Sequence, residues 1–211
     1  MRAGGPFGTG SPVAGRGLDQ LTVALASGIT FVASARMAAS RGVGHRERRA
    51  FRAINSQSSA LRVPAWLVMQ AGSLPAVGVV AALASRRSRS GSVAVAIAGP
   101  SVWAFCKLAK RVVGRGRPAD HLDDVVVRGR EQRGGGFPSG HAAVATTLAS
   151  ISSRVVAPPA ASLLWGASAL VCGARPYVGA HLPLDVVGGA SLGLSAGAVA
   201  NIALDRTRRR R

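Results

Sequence analysis

The sequence predicts an all-α protein built as a polytopic bundle of membrane helices, and three observations predict it. Uncharged runs close to membrane-spanning length recur along the 211 residues. Apolar residues make up 48% of the chain and charged residues only 17%, against about a quarter in a soluble domain. The basic residues gather between the runs, not within them. A spanning helix needs roughly 20 mostly apolar residues, and a soluble domain of this size cannot enclose so many of them. The formal net charge of +19 raises nucleic-acid binding as a rival class. No nucleic-acid-binding motif accompanies the charge, and Arg and Lys flanking apolar segments suit a protein facing anionic lipid. The expected partner is a membrane, not nucleic acid.

The elements follow in order. Residues 1–17 are rich in Gly and Pro, lack the basic-then-apolar start of a cleaved signal peptide, and are expected to be disordered. A single domain is expected over 18–205, with a basic tail at 206–211. Gln20 to Ala35 is short for a span and reads as a sixth transmembrane helix or an interfacial one. His45 to Arg62 mixes Arg46, Arg48, Arg49 and Arg52 with Phe51, Ile54 and Leu61, the pattern of an amphipathic helix on the membrane surface. Five runs then read as spans: Val63 to Ser85, with Pro64 near its start, Ser90 to Cys106, Gly134 to Ser153, Val155 to Ala174, and Val186 to Leu204. The expectation is six membrane helices, or five plus one interfacial. Gly189, Gly193 and Gly197 recur every four residues, which fits close packing against a helix of the same or a neighbouring subunit. No feature specifies an oligomeric state. Cys106 and Cys172 sit in apolar runs and read as buried small hydrophobes.

Chemistry is sought where ionisable groups meet these runs, because charge at membrane depth is costly. Lys110, Arg111, Arg115 and Arg117 follow the second span. Two readings are open: a solvated basic helix end, or an anion site using Lys as a point charge and Arg as a bidentate fork. Pro138-Ser139-Gly140-His141 opens a helix. Ser139 suits the N-cap, Gly140 lets backbone approach a ligand, and free N–H groups at a helix start receive phosphate. His141 is either a polar helix end or, beside an Arg cluster, a general acid. Arg175, His181 and Asp185 form the third cluster. His181 and Asp185 share a face on a helical turn. A carboxylate on one ring nitrogen leaves the other as a nucleophile. A metal site lacks a third ligand at metal-binding spacing, so none is expected.

Together the three clusters resemble the signature of the type-2 phosphatidic acid phosphatase (PAP2) superfamily: Lys-x6-Arg-Pro, Pro-Ser-Gly-His, and Ser-Arg-x5-His-x3-Asp. Here they read Lys110 to Arg117-Pro118, Pro138 to His141, and Arg175 to His181 to Asp185, with Ala174 in place of the usual Ser. The resemblance covers about residues 63–204. It implies a membrane lipid phosphatase acting on a terminal phosphate monoester or diphosphate. It assigns phosphate binding to Lys110, Arg117, Ser139, Gly140 and Arg175, nucleophilic attack to His181, support of His181 to Asp185, and acid–base work to His141. A phosphohistidine intermediate follows, with no metal or other cofactor. Arg111, Arg115, Arg128, Arg130 and Arg133 read either as collectors of anionic headgroups or as solvated side chains.

Arg86, Arg87, Arg89, Arg154 and Arg206 to Arg211 fall on one side of the bundle and the site loops on the other. The site side also carries many Arg, including the stretch from Arg41 to Arg62, so positive-inside counting leaves both faces open. With most of the family active outside the cytoplasm, the resemblance implies a site on the extracytoplasmic face of the cell membrane. Polyprenyl diphosphate, phosphatidic acid, phosphatidylglycerol phosphate and a prenyl-phospho-sugar phosphate are the candidate substrates, several of them serving cell-envelope or phospholipid synthesis. The rival readings are a phosphate-lipid binder without turnover and a vanadium-haloperoxidase-like oxidoreductase. The His181–Asp185 pair argues against the first and the apolar spans against the second.

Overall fold

A computed structural model describes residues 12–40, 42–130 and 132–210, with side chains from Asp19 onward. The stretch expected to be disordered lies mainly outside the described residues; from Pro12 the backbone is helical. Eight α-helices follow: α1 (Pro12–Ser40), α2 (His45–Asn55), α3 (Arg62–Met69), α4 (Leu74–Ser85), α5 (Arg89–Val113), α6 (Gly140–Ser152), α7 (Pro158–Tyr177) and α8 (Pro183–Arg209). No strand occurs among the described residues.

α6 is the centre of the bundle. Every residue from Ala142 to Ser152 is buried, enclosed by α4, α5, α7 and α8. Its sequence explains the position: Ala, Thr and Ser dominate, and small side chains let neighbouring helices come close. Thr147 Oγ1 donates to the Gly193 carbonyl of α8 at 3.2 Å, Thr146 and Ser168 of α7 share a hydrogen bond at 3.1 Å, and Asn201 Nδ2 donates to the Ser150 carbonyl at 3.2 Å. The glycine stripe of α8 faces α6 of the same chain. A Cβ at Gly189 would lie 2.3 Å from the Ser139 carbonyl oxygen, and one at Gly193 2.3 Å from that of Ala143.

The expected count of six membrane helices is not confirmed by helix length and hydropathy alone. Among the described residues three helices are long and apolar enough to cross a membrane: 19–40, 89–120 and 183–209. The segments Ser59–Gly72 and Leu74–Ser85 count as a fourth only if taken together, because they meet at 61°. The chain turns at Ser73, extended at φ −89° and ψ 161° ahead of Pro75 in the first turn of α4. Gly72 beside it lets the backbone approach α6, since a Cβ there would sit 2.5 Å from the His141 carbonyl oxygen. Gly134 to Ser153 is not one span. Its Gly-Gly-Gly-Phe-Pro start is non-helical, and α6, at about 20 Å, is shorter than the ≈ 30 Å hydrocarbon core. Gln20 to Ala35 lies within a helix of spanning length.

α2 is amphipathic as expected, with Phe51 1% exposed beneath it. Its last residue, Asn55, is buried and ties three segments: Nδ2 donates to the carbonyls of Val126, Pro176 and Tyr177, and Oδ1 accepts from the Val126 N–H. Cys106 is buried, Cys172 is half-buried, and both are free.

Candidate active site

The end of α5, the start of α6 and the α7–α8 loop converge at one end of the bundle. α5 closes on Gly114, whose φ of 63° suits glycine. Lys110, in its last turn, donates from Nζ to the carbonyls of Gly135 and Gly136 at 2.8 and 2.9 Å. Arg117 donates through Nε to Gly134 O at 2.9 Å and through Nη1 to Ala180 O at 2.7 Å. Arg175, 5% exposed, donates through Nη1 to Met69 Sδ at 3.0 Å, and its Nε is buried without an acceptor. All three cations meet neutral acceptors, so no carboxylate neutralises them by direct hydrogen bonding of the side chain. A buried donor left over, as at Arg175, points to a ligand that would satisfy it.

Ser139 caps α6, its Oγ accepting from the Ala142 N–H at a long 3.5 Å. Its N–H donates to the Asp185 carbonyl at 2.9 Å, which locks the start of α6 to the start of α8. A Cβ added at Gly140 would meet Trp103 Cδ1 at 3.8 Å, an ordinary contact. His141, Arg117 and Arg175 line a cleft of about 420 Å³ that also touches Trp66, Met69 and Asp120.

His181 sits behind this wall, 3% exposed. Its Nδ1 is 3.6 Å from Asp185 Oδ2, just beyond hydrogen-bond reach. Burial, and then the charges of Arg175, Lys110 and Arg117 with His141, push its pKa well below 6.5, so the ring is neutral and its nitrogen lone pair free. Asp185 is wholly buried. Its Oδ2 accepts from the Leu182 N–H at 2.9 Å and its Oδ1 from Arg115 Nη1 at 3.0 Å. Every candidate site residue is thus gathered at one locus. Among the described residues no three His, Cys, Asp or Glu side chains group as metal ligands.

Two of the extra arginines have roles that the sequence reading did not assign. Arg115 is buried, not solvated or collecting headgroups: it bridges Asp185 and Glu47, the latter at 2.6 and 3.1 Å. Arg128 donates to the carbonyls of Asn55, Gln57 and Tyr177 at 2.7 Å each and lies over the Tyr177 ring, stitching the loop that borders the cleft. A signal for Glu47 was available: it is the only acidic residue between Asp19 and Asp120.

Three cations with only neutral hydrogen-bond acceptors for their side chains, one buried and two half-buried, lie beside a neutral histidine on a helical bundle with helices of membrane-spanning length, an arrangement suited to a phosphate-like anion. The sequence profile of the PAP2 superfamily matches residues 89–209, more than half of the chain, and the chain belongs to that superfamily, as a membrane phosphatase. Two solved structures share the fold. The LpxE of Aquifex aeolicus is 24% identical, with a TM-score of 0.66, covering 72% of this chain and 93% of its own. The transmembrane PAP2-type phosphatidylglycerolphosphate phosphatase of Bacillus subtilis is 20% identical, with a TM-score of 0.69, covering 89% and 98%. No curated protein matches the sequence.

Proposed function

We propose that this protein hydrolyses the terminal phosphate of a membrane lipid through a phosphohistidine on His181. The observation that carries the reading is the set of three cations, Lys110, Arg117 and Arg175, hydrogen-bonded only to carbonyls and a thioether. A phosphoryl group would satisfy them and gain charge-assisted bonds. Ser139 and the Gly140 N–H add neutral donors at the helix start. His181, neutral and backed by Asp185, attacks phosphorus as the ester or anhydride P–O bond breaks. His141, on the cleft wall, has its pKa pushed down to about 4 by burial and by the charges of Arg175 and Lys110. The phosphate anion offsets those charges and brings a proton onto the His141 ring, which passes it to the leaving oxygen. It then takes a proton from water as water attacks the phosphohistidine, and phosphate leaves with His181 restored. The cations supply the charge stabilisation that a metal supplies in other phosphatases.

The solved relatives are named for phosphatidylglycerolphosphate hydrolysis in one case and as LpxE in the other. The substrate class proposed here is a phospholipid or polyprenyl lipid with a terminal phosphate monoester or diphosphate, in cell-envelope or phospholipid synthesis. Arginines stand at both ends of the bundle, Arg86, Arg87, Arg89, Arg206, Arg208 and Arg209 away from the site and Arg46, Arg48, Arg49 and Arg52 beside it, so the extracytoplasmic placement of the site rests on the family resemblance and not on charge counting.

The test is phosphate release by detergent-purified protein, with chelator and no added metal, over phosphatidic acid, phosphatidylglycerol phosphate, polyprenyl diphosphate and a prenyl-phospho-sugar phosphate. Release from one of these, unaffected by chelator, is the expected result. Release only on metal addition overturns the metal-free chemistry. Binding without release favours the lipid-binding reading. The same assay on sealed vesicles of known orientation tests the face.

A further inference from the structure

We propose that Arg115 is a positioning residue of the reaction, holding Asp185 toward His181, and that Glu47 on the amphipathic helix α2 holds Arg115 in turn. The proposal rests on the phosphatase reading above for its kinetic arm only.

The geometry is a chain of four side chains. Glu47 grips Arg115 with both oxygens, at 3.1 Å to Nη1 and 2.6 Å to Nη2. The same Nη1 reaches Asp185 Oδ1 at 3.0 Å, and Asp185 Oδ2 faces His181 Nδ1 at 3.6 Å. Glu47 Oε1 also accepts the Leu184 N–H at 2.9 Å, one residue before Asp185, so α2 holds the start of α8 by backbone as well. The Arg115 carbonyl accepts from the Gly136 N–H at 2.7 Å, and the Gly136 carbonyl is one of those that Lys110 reaches. Arg115 is therefore tied to the nucleophile's support on one side and to a phosphate-binding lysine's anchor on the other.

Charge separates this arginine from its neighbours. Arg117 and Arg175 donate to neutral acceptors and keep their charge for an anion, whereas Arg115 spends its guanidinium on two carboxylates. Its side chain is 3% exposed and Glu47's is 15%, in a helix whose other charges are basic. A solvated surface pair looks different: Arg52 and Asp124 are 52% and 51% exposed. Asp185 has no donor from His181 within reach, so its orientation depends on Arg115 and the Leu182 N–H. Groups that support a working ligand in this way typically contribute 10–100-fold in activity.

The experiment compares Arg115→Met, Arg115→Lys and Glu47→Gln with wild type, and uses Asp124→Asn as an exposed-pair control, in steady-state kinetics and thermal unfolding. Arg115→Met is expected to lower kcat by about 10–100-fold with KM within twofold. Arg115→Lys recovers part of kcat, since it keeps one charge but cannot bridge two carboxylates. Glu47→Gln lowers kcat less, and Asp124→Asn leaves it unchanged. The charged groups facing His181 are Arg175, Lys110, Arg117, His141 and Asp185. Removing the positive charge behind Asp185 lets His181 protonate more readily, so Arg115→Met moves the acid limb of kcat/KM to higher pH. Removing the negative charge of Glu47 moves it to lower pH. A purely structural pair would lower kcat only in step with unfolding and would leave Arg115→Lys no better than Arg115→Met in folded protein. NMR titration of the His181 ring in histidine-labelled protein reads the same two shifts without turnover, so failure of the phosphatase reading is separable. If Arg115→Met does not fold, Glu47→Gln and the NMR titration decide. A kcat within twofold of wild type in folded variants, or losses that track unfolding with no shift of the acid limb, overturns the proposal.

Discussion

Replacing His181 with Ala is expected to reduce phosphate release by about 10³-fold or more while leaving the protein folded, because it removes the nucleophile and not a packing group. The bundle's core lies along α6 and its neighbours, whereas His181 sits in the loop before α8, so little apolar contact is lost. The pH dependence follows from the direction of the His181 shift. The attacking form is the neutral ring. Burial and the surrounding cations lower its pKa well below 6.5, so that form persists as the pH falls through 6.5. In kcat/KM, which reports the free enzyme, the acid limb due to His181 therefore lies well below 6.5, and raising the pH costs His181 nothing. The measurement is phosphate release from the best lipid of the panel across pH, for wild type and His181→Ala. Release that survived the substitution would sink the phosphohistidine mechanism. An acid limb at or above 6.5 would show that the cations do not act on the free ring as the geometry implies.

A second large effect is expected from the glycines of α8. Gly189→Ala and Gly193→Ala each place a methyl carbon 2.3 Å from a backbone carbonyl oxygen of the Ser139–Ala143 stretch. Backbone cannot swing aside as a long side chain does, so α6 and α8 must separate. Overpacking of this kind costs about 1–3 kcal/mol per site, occasionally more. Activity should fall further than stability, because Ser139 is bonded to the Asp185 carbonyl across the same contact and its separation pulls the two halves of the site apart. Thermal unfolding in detergent, beside phosphate release, checks this. Full activity in either variant would show that α6 and α8 do not set the site. Gly166→Ala, with nothing within 4 Å of its added Cβ, is the matched control and should be silent.

Much of the site was legible because its chemistry is local in the chain. Ser139 and His141 are two apart, His181 and Asp185 four apart, and Lys110 and Arg117 seven apart, so short spacing keeps each cluster together in space. The clusters' meeting was legible only through the family resemblance, since nothing in the chain order states which helix ends adjoin. Glu47 and Asn55 were not singled out because their partners lie 68 to 137 residues away. Arg115 was singled out but not resolved, because in sequence a buried ion-pair arginine and a solvated one look alike. The apolar runs marked where helices would form but not how long they would be. Hydropathy extends Gly134 to Ser153 as one run, whereas the Gly-Gly-Gly-Phe-Pro stretch supplies carbonyls to Lys110 and Arg117 in place of helical turns. Val63 to Ser85 likewise contains a break at Ser73 before Pro75, and Gly72 beside it lies against the first turn of α6, a tertiary contact that hydropathy does not register.

The neutral partners of Lys110, Arg117 and Arg175 have a thermodynamic consequence. Three like charges held near one another repel, the Asp185 carboxylate offsets that repulsion only in part, and the fold bears the rest wherever no bound anion compensates it. An anion that binds only the folded state adds RT ln(1 + [L]/Kd) to stability, about 2.7 kcal/mol at a hundredfold excess over Kd. Global stability in this protein is therefore coupled to headgroup occupancy. A melting-temperature series with inorganic phosphate, vanadate and short-chain lipid phosphates would rank ligands for the site by affinity alone, and lipids that the enzyme turns over too slowly to detect would still register as stabilisers.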